Sequence, residues 1–233
     1  MSLFVIADLH LSFGVDKPMD VFGGRWTNYI DKLDEYWKYM VSDGDTVVIP
    51  GDISWAMDFK EAVEDFRFLN SLPGHKIIMK GNHDYWWSGP TKLKAFLDEN
   101  GFDSIDFLHN NAIEAEDKLI CGSRGWMCDD KMTAADRKVL DREAMRFEMS
   151  IADARKKDPD RQKEIVVFSH YPVAGSGYMK NPIMDVLRRE GIKRVYYGHL
   201  HDVDRKKLIE ECDGISLYLT AADYLVFTPM KIS

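Results

Sequence analysis

Cysteine is scarce in this chain of 233 residues, which contains only Cys121, Cys128 and Cys212. None of the three belongs to a Cys-x-x-Cys pair, and their odd number argues against a framework of disulfide bonds. The pattern is typical of reduced thiols in a reducing compartment. It disfavours a small secreted scaffold that disulfides hold together.

Long apolar runs and an N-terminal targeting segment are also missing. No stretch approaches the ~20 apolar residues that a membrane-spanning helix needs. The first apolar run, residues 3–7, has no basic segment before it and is too short for a signal peptide. We therefore expect a cytoplasmic protein without a membrane partner.

The chain lacks a basic tract as well. It has 31 Lys and Arg residues against 39 Asp and Glu residues, which gives a net charge of −8. Proteins that hold long nucleic acids through many phosphates usually present a basic face, so nucleic acid is disfavoured as a partner. A small phosphorylated substrate remains compatible with this charge, because a bound metal supplies positive charge locally.

The length of the chain allows a large hydrophobic core. At 233 residues, folding buries roughly 70–75% of the surface that the unfolded chain exposes. No internal repeat, low-complexity tract or linker divides the sequence. We therefore interpret residues 1–233 as one domain.

The apolar pattern predicts alternating strands and helices. Five short runs are typical of strands buried on both faces of a sheet: residues 3–7, 46–49, 76–79, 165–168 and 194–197. Short broken runs favour hairpins over residues 105–126, and antiparallel strands are expected at 207–209, 216–220 and 225–228. Thr133 with Asp136, and Asn181 with Pro182, are expected to begin helices.

A polar motif directly follows each of the five predicted core strands. The motifs are Asp8-Leu9-His10, Gly51-Asp52, Gly81-Asn82-His83-Asp84, Ser169-His170 and Gly198-His199-Leu200-His201. A single histidine after a strand is more often structural than a ligand. However, five of the seven histidines fall in these motifs, and the carboxyl ends of strands in α/β sheets gather functional groups at one crevice. The set as a whole indicates a dinuclear metal site.

In that order the motifs resemble the calcineurin-like metallophosphoesterase family, whose pattern is D-x-H, G-D, G-N-H-[D/E], H and G-H-x-H. The resemblance spans residues 8–201. It implies an α/β fold, an αββα sandwich of two mixed sheets flanked by helices. It also implies a dinuclear metal site at the carboxyl ends of the core strands.

The resemblance assigns seven metal ligands. Asp8, His10 and His201 would bind the first ion, Asn82, His170 and His199 the second, and Asp52 would bridge the two. Nitrogen and oxygen ligands without cysteine favour Mn, Fe, Zn or Co over Ca or Mg alone.

The implied reaction is in-line attack of a metal-bridging hydroxide on phosphorus. Two divalent ions carry four positive charges, and Asp8, Asp52 and the hydroxide remove three, so an anionic phosphoryl group is attracted. Asp52 and His83 would be the catalytic residues, with His83 protonating the leaving oxygen or stabilising its charge. Asp84 would either orient this region or belong only to the loop.

The sequence departs from the serine/threonine protein phosphatase branch, which continues its second motif as G-D-x-V-D-R-G. Trp55 replaces the second aspartate of that motif, and Lys80 stands where the branch has an arginine. The partner of His83 and a clamp for phosphoproteins are therefore both missing. This favours a small phosphoester as substrate.

Candidate substrate contacts are Asn82, Trp86, Arg124 and Tyr171. Trp86 could stack on a substrate ring or fill a gap in the core. Arg124 could clamp a phosphate or form a salt bridge.

The leading hypothesis is a metal-dependent hydrolase of a small phosphomonoester or phosphodiester with two divalent ions as cofactors. Two alternatives remain open: a nuclease, and a metal-binding scaffold with this fold but no catalysis. The substrate, the native metals and the oligomeric state are not specified by the sequence.

Overall fold

The structure, a computed structural model, describes residues 1–127, 129, 131–175 and 178–232. Its strands are β1 (Leu3–Val5), β2 (Thr46–Ile49), β3 (His75–Ile78), β4 (Ile105–Phe107), β5 (Ile113–Ala115), β6 (Lys118–Ser123), β7 (Glu164–Ser169), β8 (Arg194–Tyr197), β9 (Glu211–Cys212), β10 (Ile215–Leu219) and β11 (Met230–Ile232). Its α-helices are α1 (Tyr29–Met40), α2 (Phe59–Ser71), α3 (Pro90–Asn100), α4 (Ala134–Lys157) and α5 (Pro182–Arg189). Cys128 lies outside the described residues.

The strands form two mixed sheets. The first has the order β11-β1-β2-β3-β4, with β1 to β4 parallel and β11 antiparallel to β1. The second has the order β5-β6-β7-β8-β10-β9, with a parallel centre and antiparallel strands at both edges. The carboxyl ends of β1, β2 and β3 therefore share one edge of the first sheet.

Side-chain alternation along the strands builds a four-layer α/β sandwich. In β2, Val48 points to a cluster shared with Phe168 of the second sheet, so this cluster lies between the sheets. The neighbouring Val47 packs with Trp37 of α1 and Phe66 of α2. Helices α4 and α5 cover the second sheet in the same way. Because alternate residues point to opposite faces, both faces of each core strand are buried, as predicted.

The two predicted helix starts are confirmed. Thr133 accepts a hydrogen bond from the backbone N–H of Asp136, whose carboxylate accepts one in return from Thr133, and the capping box begins α4. Asn181 accepts hydrogen bonds from the backbone of Ile183 and Met184 and begins α5.

The predictions for the irregular parts are confirmed only in part. Strands β5 and β6 form an antiparallel hairpin and β10 pairs antiparallel with β9, as expected, but other details differ. Strand β4 pairs parallel with β3, because α3 forms a crossover between them. Strand β10 runs parallel to β8, because a long connection separates the two. The strand expected at residues 207–209 does not form: Lys207 ends a 3₁₀ turn, Arg205–Lys207, and residues 208 and 209 follow it without regular structure. Residues 225–228 are a turn, in which Val226 and Phe227 have φ values of 52° and 59°.

None of the helices in the described part of the chain combines the length and the apolar composition of a membrane span.

Candidate metal centre

The predicted site residues come together where five strands end. Asp8 and His10 follow β1, Asp52 follows β2, Asn82 and His83 follow β3, His170 follows β7, and His199 and His201 follow β8. Both sheets therefore contribute side chains to one crevice.

A first group that could hold a metal ion consists of Asp8, His10 and His201, whose ligand atoms all lie within 4.8 Å of one another. The Nε2 atoms of His10 and His201 are 3.2 Å apart. The Asp223 carboxylate accepts a hydrogen bond from Nδ1 of His201 at 2.8 Å, so Nε2 of His201 carries the lone pair. No sequence signal pointed to Asp223, which belongs to no motif.

A second group consists of Asp8, Asp52 and His170, again within 4.8 Å. Nδ1 of His170 donates to the carbonyl oxygen of Pro50 at 3.1 Å, which leaves the lone pair on Nε2. That nitrogen lies 2.6 Å from Oδ1 of Asn82 and 3.5 Å from Oδ2 of Asp52. Three atoms with lone pairs thus face one another, an arrangement that fits a cation between them.

The two groups are joined through the carboxylates. Asp8 belongs to both groups, although the resemblance placed it at the first ion alone. Oδ2 of Asp52 lies 3.8 Å from Nε2 of His10 and so also reaches the first group. The ring of His199 lies beside His170, with 5.1 Å between their centroids.

Burial determines the charge state of these groups. Burial and the nearby Asp52 raise the pKa of Asp8 well above its ordinary range. Burial lowers the pKa values of His170 and His199 to about 3, so both imidazoles are neutral, the form that binds metals. Oδ1 of Asp8 is buried and has no hydrogen-bond partner among the described residues. An unpartnered buried carboxylate oxygen among neutral imidazoles fits a divalent cation.

The glycines of the motifs make room for the carboxylates. A Cβ at Gly81 would lie 2.0 Å from Oδ1 of Asp52, and one at Gly198 would lie 2.4 Å from Oδ2 of Asp8. The acidic residues themselves have left-handed backbones, with φ values of 59° at Asp8 and 52° at Asp52. Such positions cost of order 1–3 kcal/mol each and cluster at functional sites.

Asp84 ties the second motif to the third. Its fully buried carboxylate accepts hydrogen bonds from the backbone of Gly81 at 2.6 Å, Asp52 at 2.8 Å and Ile53 at 2.9 Å. Burial and the neighbouring Asp52 raise its pKa to about 7. Of the two roles considered from the sequence, these contacts favour an orienting role.

His83 lies at the edge of the centre. Its backbone N–H donates to Oδ1 of Asp52 at 2.8 Å, and its ring centroid is 4.4 Å from that of Trp55. Trp55 also stacks on His10 at 4.8 Å, so an aromatic ring occupies the place of the missing aspartate. Burial lowers the pKa of His83.

A cavity of about 550 Å³ opens beside these residues. Its lining combines the polar groups of Asp52, His83 and His201 with the rings of Trp26 and Trp55. Neither tryptophan lies in a motif, and their contribution to this wall was not predicted.

The candidate substrate contacts do not all reach this cavity. Trp86 is only 3% exposed and packs against Phe66 in the core, so it fills the core instead of stacking on a substrate. Tyr171 lies against His199, with 4.3 Å between ring centroids. Nη2 of Arg124 lies 3.8 Å from Glu143, in a separate cavity.

Solved structures share this architecture. A protein of unknown function from Aquifex aeolicus is 20% identical, with a TM-score of 0.50, and the match covers 99% of this chain and 95% of that one. The phosphopantetheinyl hydrolase of Mycobacterium tuberculosis is 13% identical, with a TM-score of 0.55 and the same coverage. The protein TT1561 of Thermus thermophilus is 10% identical, with a TM-score of 0.56, covering 99% and 97%. At these identities the likeness shows the fold alone.

No curated protein matches the chain significantly. The family model described as calcineurin-like phosphoesterase, in contrast, matches residues 1–203 and therefore includes every motif of the site. The chain thus belongs to the calcineurin-like phosphoesterase family and is a metallophosphoesterase, a hydrolase of phosphoric ester bonds.

Proposed function

We propose that this metallophosphoesterase hydrolyses a small phosphomonoester or phosphodiester with two divalent metal ions at its centre. The observation that carries the proposal is the convergence of two groups of metal-ligand atoms, which share Asp8, beside an open cavity whose wall includes His10, Asp52 and His201. The cavity volume of about 550 Å³ lies within the ~300–1,000 Å³ of ordinary small-molecule sites.

Each ligand has a proposed place. Asp8, His10 and His201 would hold the first ion, and Asn82, His170 and His199 would hold the second, with Asp52 available to both. Ions of Mn, Fe, Zn or Co suit this donor set. When bound, they supply an acidified water and the positive charge that a phosphoryl group needs.

The residues of the chain supply orientation and a proton. Asp223 fixes the ring of His201, and Asp84 fixes the backbone of Asp52. His83 lies on the cavity wall without being one of the proposed ligands, so its imidazole is placed to protonate the leaving oxygen. We place the reaction in the cytoplasm, with which the free, buried thiols of Cys121 and Cys212 are compatible.

The test compares nitrophenyl phosphate with bis-nitrophenyl phosphate, with and without Mn²⁺. We expect Mn²⁺-dependent release of nitrophenol that a chelator abolishes and that Asp52→Asn reduces at least ~100-fold. His83→Ala should reduce the rate most on esters with a poor leaving group, because these need the proton most.

Two control variants change the same residue types outside the site. Nε2 of His75 lies 3.0 Å from the Asp106 carboxylate at the surface, so His75→Ala and Asp106→Asn should keep the wild-type rate. Hydrolysis that survives chelation, or that Asp52→Asn leaves unchanged, would overturn the proposal. Metal binding without hydrolysis of either ester would favour the scaffold alternative.

A further inference from the structure

A second cavity, of about 250 Å³, adjoins the metal centre and plays no part in the proposed chemistry. It is attached to the centre at two points. Lys80, on its wall, directly precedes Gly81 and Asn82. The backbone carbonyl of Arg124, also on its wall, accepts hydrogen bonds from the N–H groups of His170 at 3.1 Å and Tyr171 at 2.9 Å.

Three cationic side chains lie on the wall of this cavity. Lys80, Arg124 and Arg146 line it together with His109. The fully buried carboxylate of Glu143 contacts Arg146 and lies 3.8 Å from Arg124, which leaves an excess of two positive charges. Like charges therefore lie close together around an open space.

Glu143 organises the two arginines instead of neutralising the cavity. Its Oε2 accepts hydrogen bonds from the Ser123 hydroxyl at 2.8 Å and the Gly125 backbone at 3.1 Å, and its Oε1 faces the guanidinium groups. Because Glu143 is anchored from both sides, Arg124 and Arg146 are held in place without a ligand.

Two nitrogens beside this cavity, Nε of Arg124 and Nδ1 of His109, have no hydrogen-bond partner among the described residues, but both are fully buried. The ammonium group of Lys80 is an available donor. Lys80 has no hydrogen bond or ion pair with any residue that the structure describes. The Asp84 carboxylate attracts the Lys80 ammonium electrostatically without contacting it. The Asp84 oxygens already accept hydrogen bonds from the backbone N–H groups of Asp52 and Gly81. An oxyanion in this cavity would accept hydrogen bonds from Lys80 and attract the guanidinium groups of Arg124 and Arg146.

We propose that this cavity binds a phosphate group, which during catalysis is the second phosphate of a substrate whose first phosphate reaches the metal centre. Phosphate binding in this cavity is independent of the proposed function. Only the claim that the phosphate belongs to the substrate rests on it. Arginine matches the geometry of phosphate oxygens, and lysine adds a point charge. Since liquid water takes about 30 Å³ per molecule, the cavity has room for a tetrahedral oxyanion and its hydration.

The first experiment measures the binding of inorganic phosphate to the full-length, metal-loaded protein by titration calorimetry. We expect a site in the wild type, additional to the metal centre, that Arg146→Gln weakens about tenfold, the value of one charged hydrogen bond. Arg146 is half-exposed, and Glu143 keeps its hydrogen bonds from Ser123 and Gly125 when Arg146 is replaced. Urea unfolding of Arg146→Gln checks its fold, and Lys80→Gln, which leaves Glu143 and its partners unchanged, repeats the test from another strand end. Arg142→Gln, one turn earlier on α4 and outside the cavity, is the matched control.

The second experiment compares KM for adenosine 3′,5′-bisphosphate and adenosine 5′-monophosphate. We expect the wild type and Arg142→Gln to favour the bisphosphate about tenfold, and Arg146→Gln to lose that preference. A change in calorimetry alone would support the phosphate site and assign it to free phosphate. Identical isotherms and KM ratios in all variants would overturn the inference. Absence of hydrolysis with every ester would defeat the proposed function, while calorimetry would still decide on the site.

Discussion

The Asp84 carboxylate lies 2.8 Å from the backbone nitrogen of Asp52 and accepts its hydrogen bond. The same carboxylate binds the N–H groups of Gly81 and Ile53, so one buried side chain holds two metal motifs in register. The position of the proposed bridging ligand thus depends on a residue that is not itself a proposed ligand.

Replacement of Asp84 by asparagine should therefore weaken metal binding. The amide keeps one acceptor and brings an N–H₂ group against backbone donors, so we expect Mn²⁺ affinity to fall about 10–100-fold. The free energy of unfolding should fall by about 1–3 kcal/mol. Calorimetric titration and urea unfolding measure both effects. Asp98→Asn, in an exposed pair with Lys94, is the control and should change neither.

Replacement of Asp223 should weaken the binding of the first ion, because Asp223 orients the ring of His201. Without its hydrogen bond at 2.8 Å, the ring of His201 is free to rotate, so Asp223→Ala should lower Mn²⁺ affinity about 10–100-fold. The Asp213→Ala variant, which removes a surface partner of Arg188, provides the comparison. Equal affinities in the two variants would mean that Asp223 does not orient a ligand.

Gly198 should not tolerate a side chain. A Cβ there would lie 2.4 Å from Oδ2 of Asp8 and 2.7 Å from Cβ of Ala7. We expect Gly198→Ala to displace the carboxylate, to reduce metal content and to destabilise the fold by about 1–3 kcal/mol. At Gly89 a Cβ would meet nothing within 4 Å, so Gly89→Ala should behave as wild type. Metal analysis and thermal unfolding distinguish the outcomes.

Asp65 should make stability depend on pH. Burial raises its pKa from 3.8 to about 6, so the folded state binds the proton more tightly than the unfolded state. Its contribution to stability is therefore complete below about pH 4 and is lost as the pH rises through about 6.

The variant Asp65→Asn removes that dependence. Its amide oxygen still accepts from the backbone N–H of Phe13, which lies 2.7 Å from Oδ1 in the wild type. We expect its free energy of unfolding, relative to wild type, to increase from about pH 4 to about pH 7. Urea unfolding of both proteins at several pH values across this range measures the difference in their free energies of unfolding. A constant difference would show that the carboxyl group titrates normally.

The sequence predicted the core strands and the convergence of the five motifs, because both follow from local patterns. Apolar runs give strands buried on both faces, and parallel strands bring their carboxyl ends to one edge. Asp223 was not predictable, because it belongs to no motif and meets His201, 22 residues away in the chain, only in the folded structure. The sequence left the role of Trp86 open, because an aromatic residue after a motif suits the core and a cavity equally well, and its burial favours the core.

The pairing of strands β4 and β10 could not be predicted from the local sequence pattern either. The direction of β10 depends on where the long connection after β8 returns, and β4 joins the first sheet only because α3 crosses over it. The apolar periodicity and composition of a strand do not determine its pairing partner or its direction. Both depend on which sheet edge is still unpaired when the strand reaches it.

The most direct test of two-metal hydrolysis is the rate of nitrophenyl ester cleavage, measured while Mn²⁺ is added stepwise to metal-free, full-length protein and bound metal is counted. We expect a rate that rises until two ions are bound per chain, and Asp52→Asn should remain inactive throughout. A full rate in protein that holds no metal would contradict the two-metal mechanism.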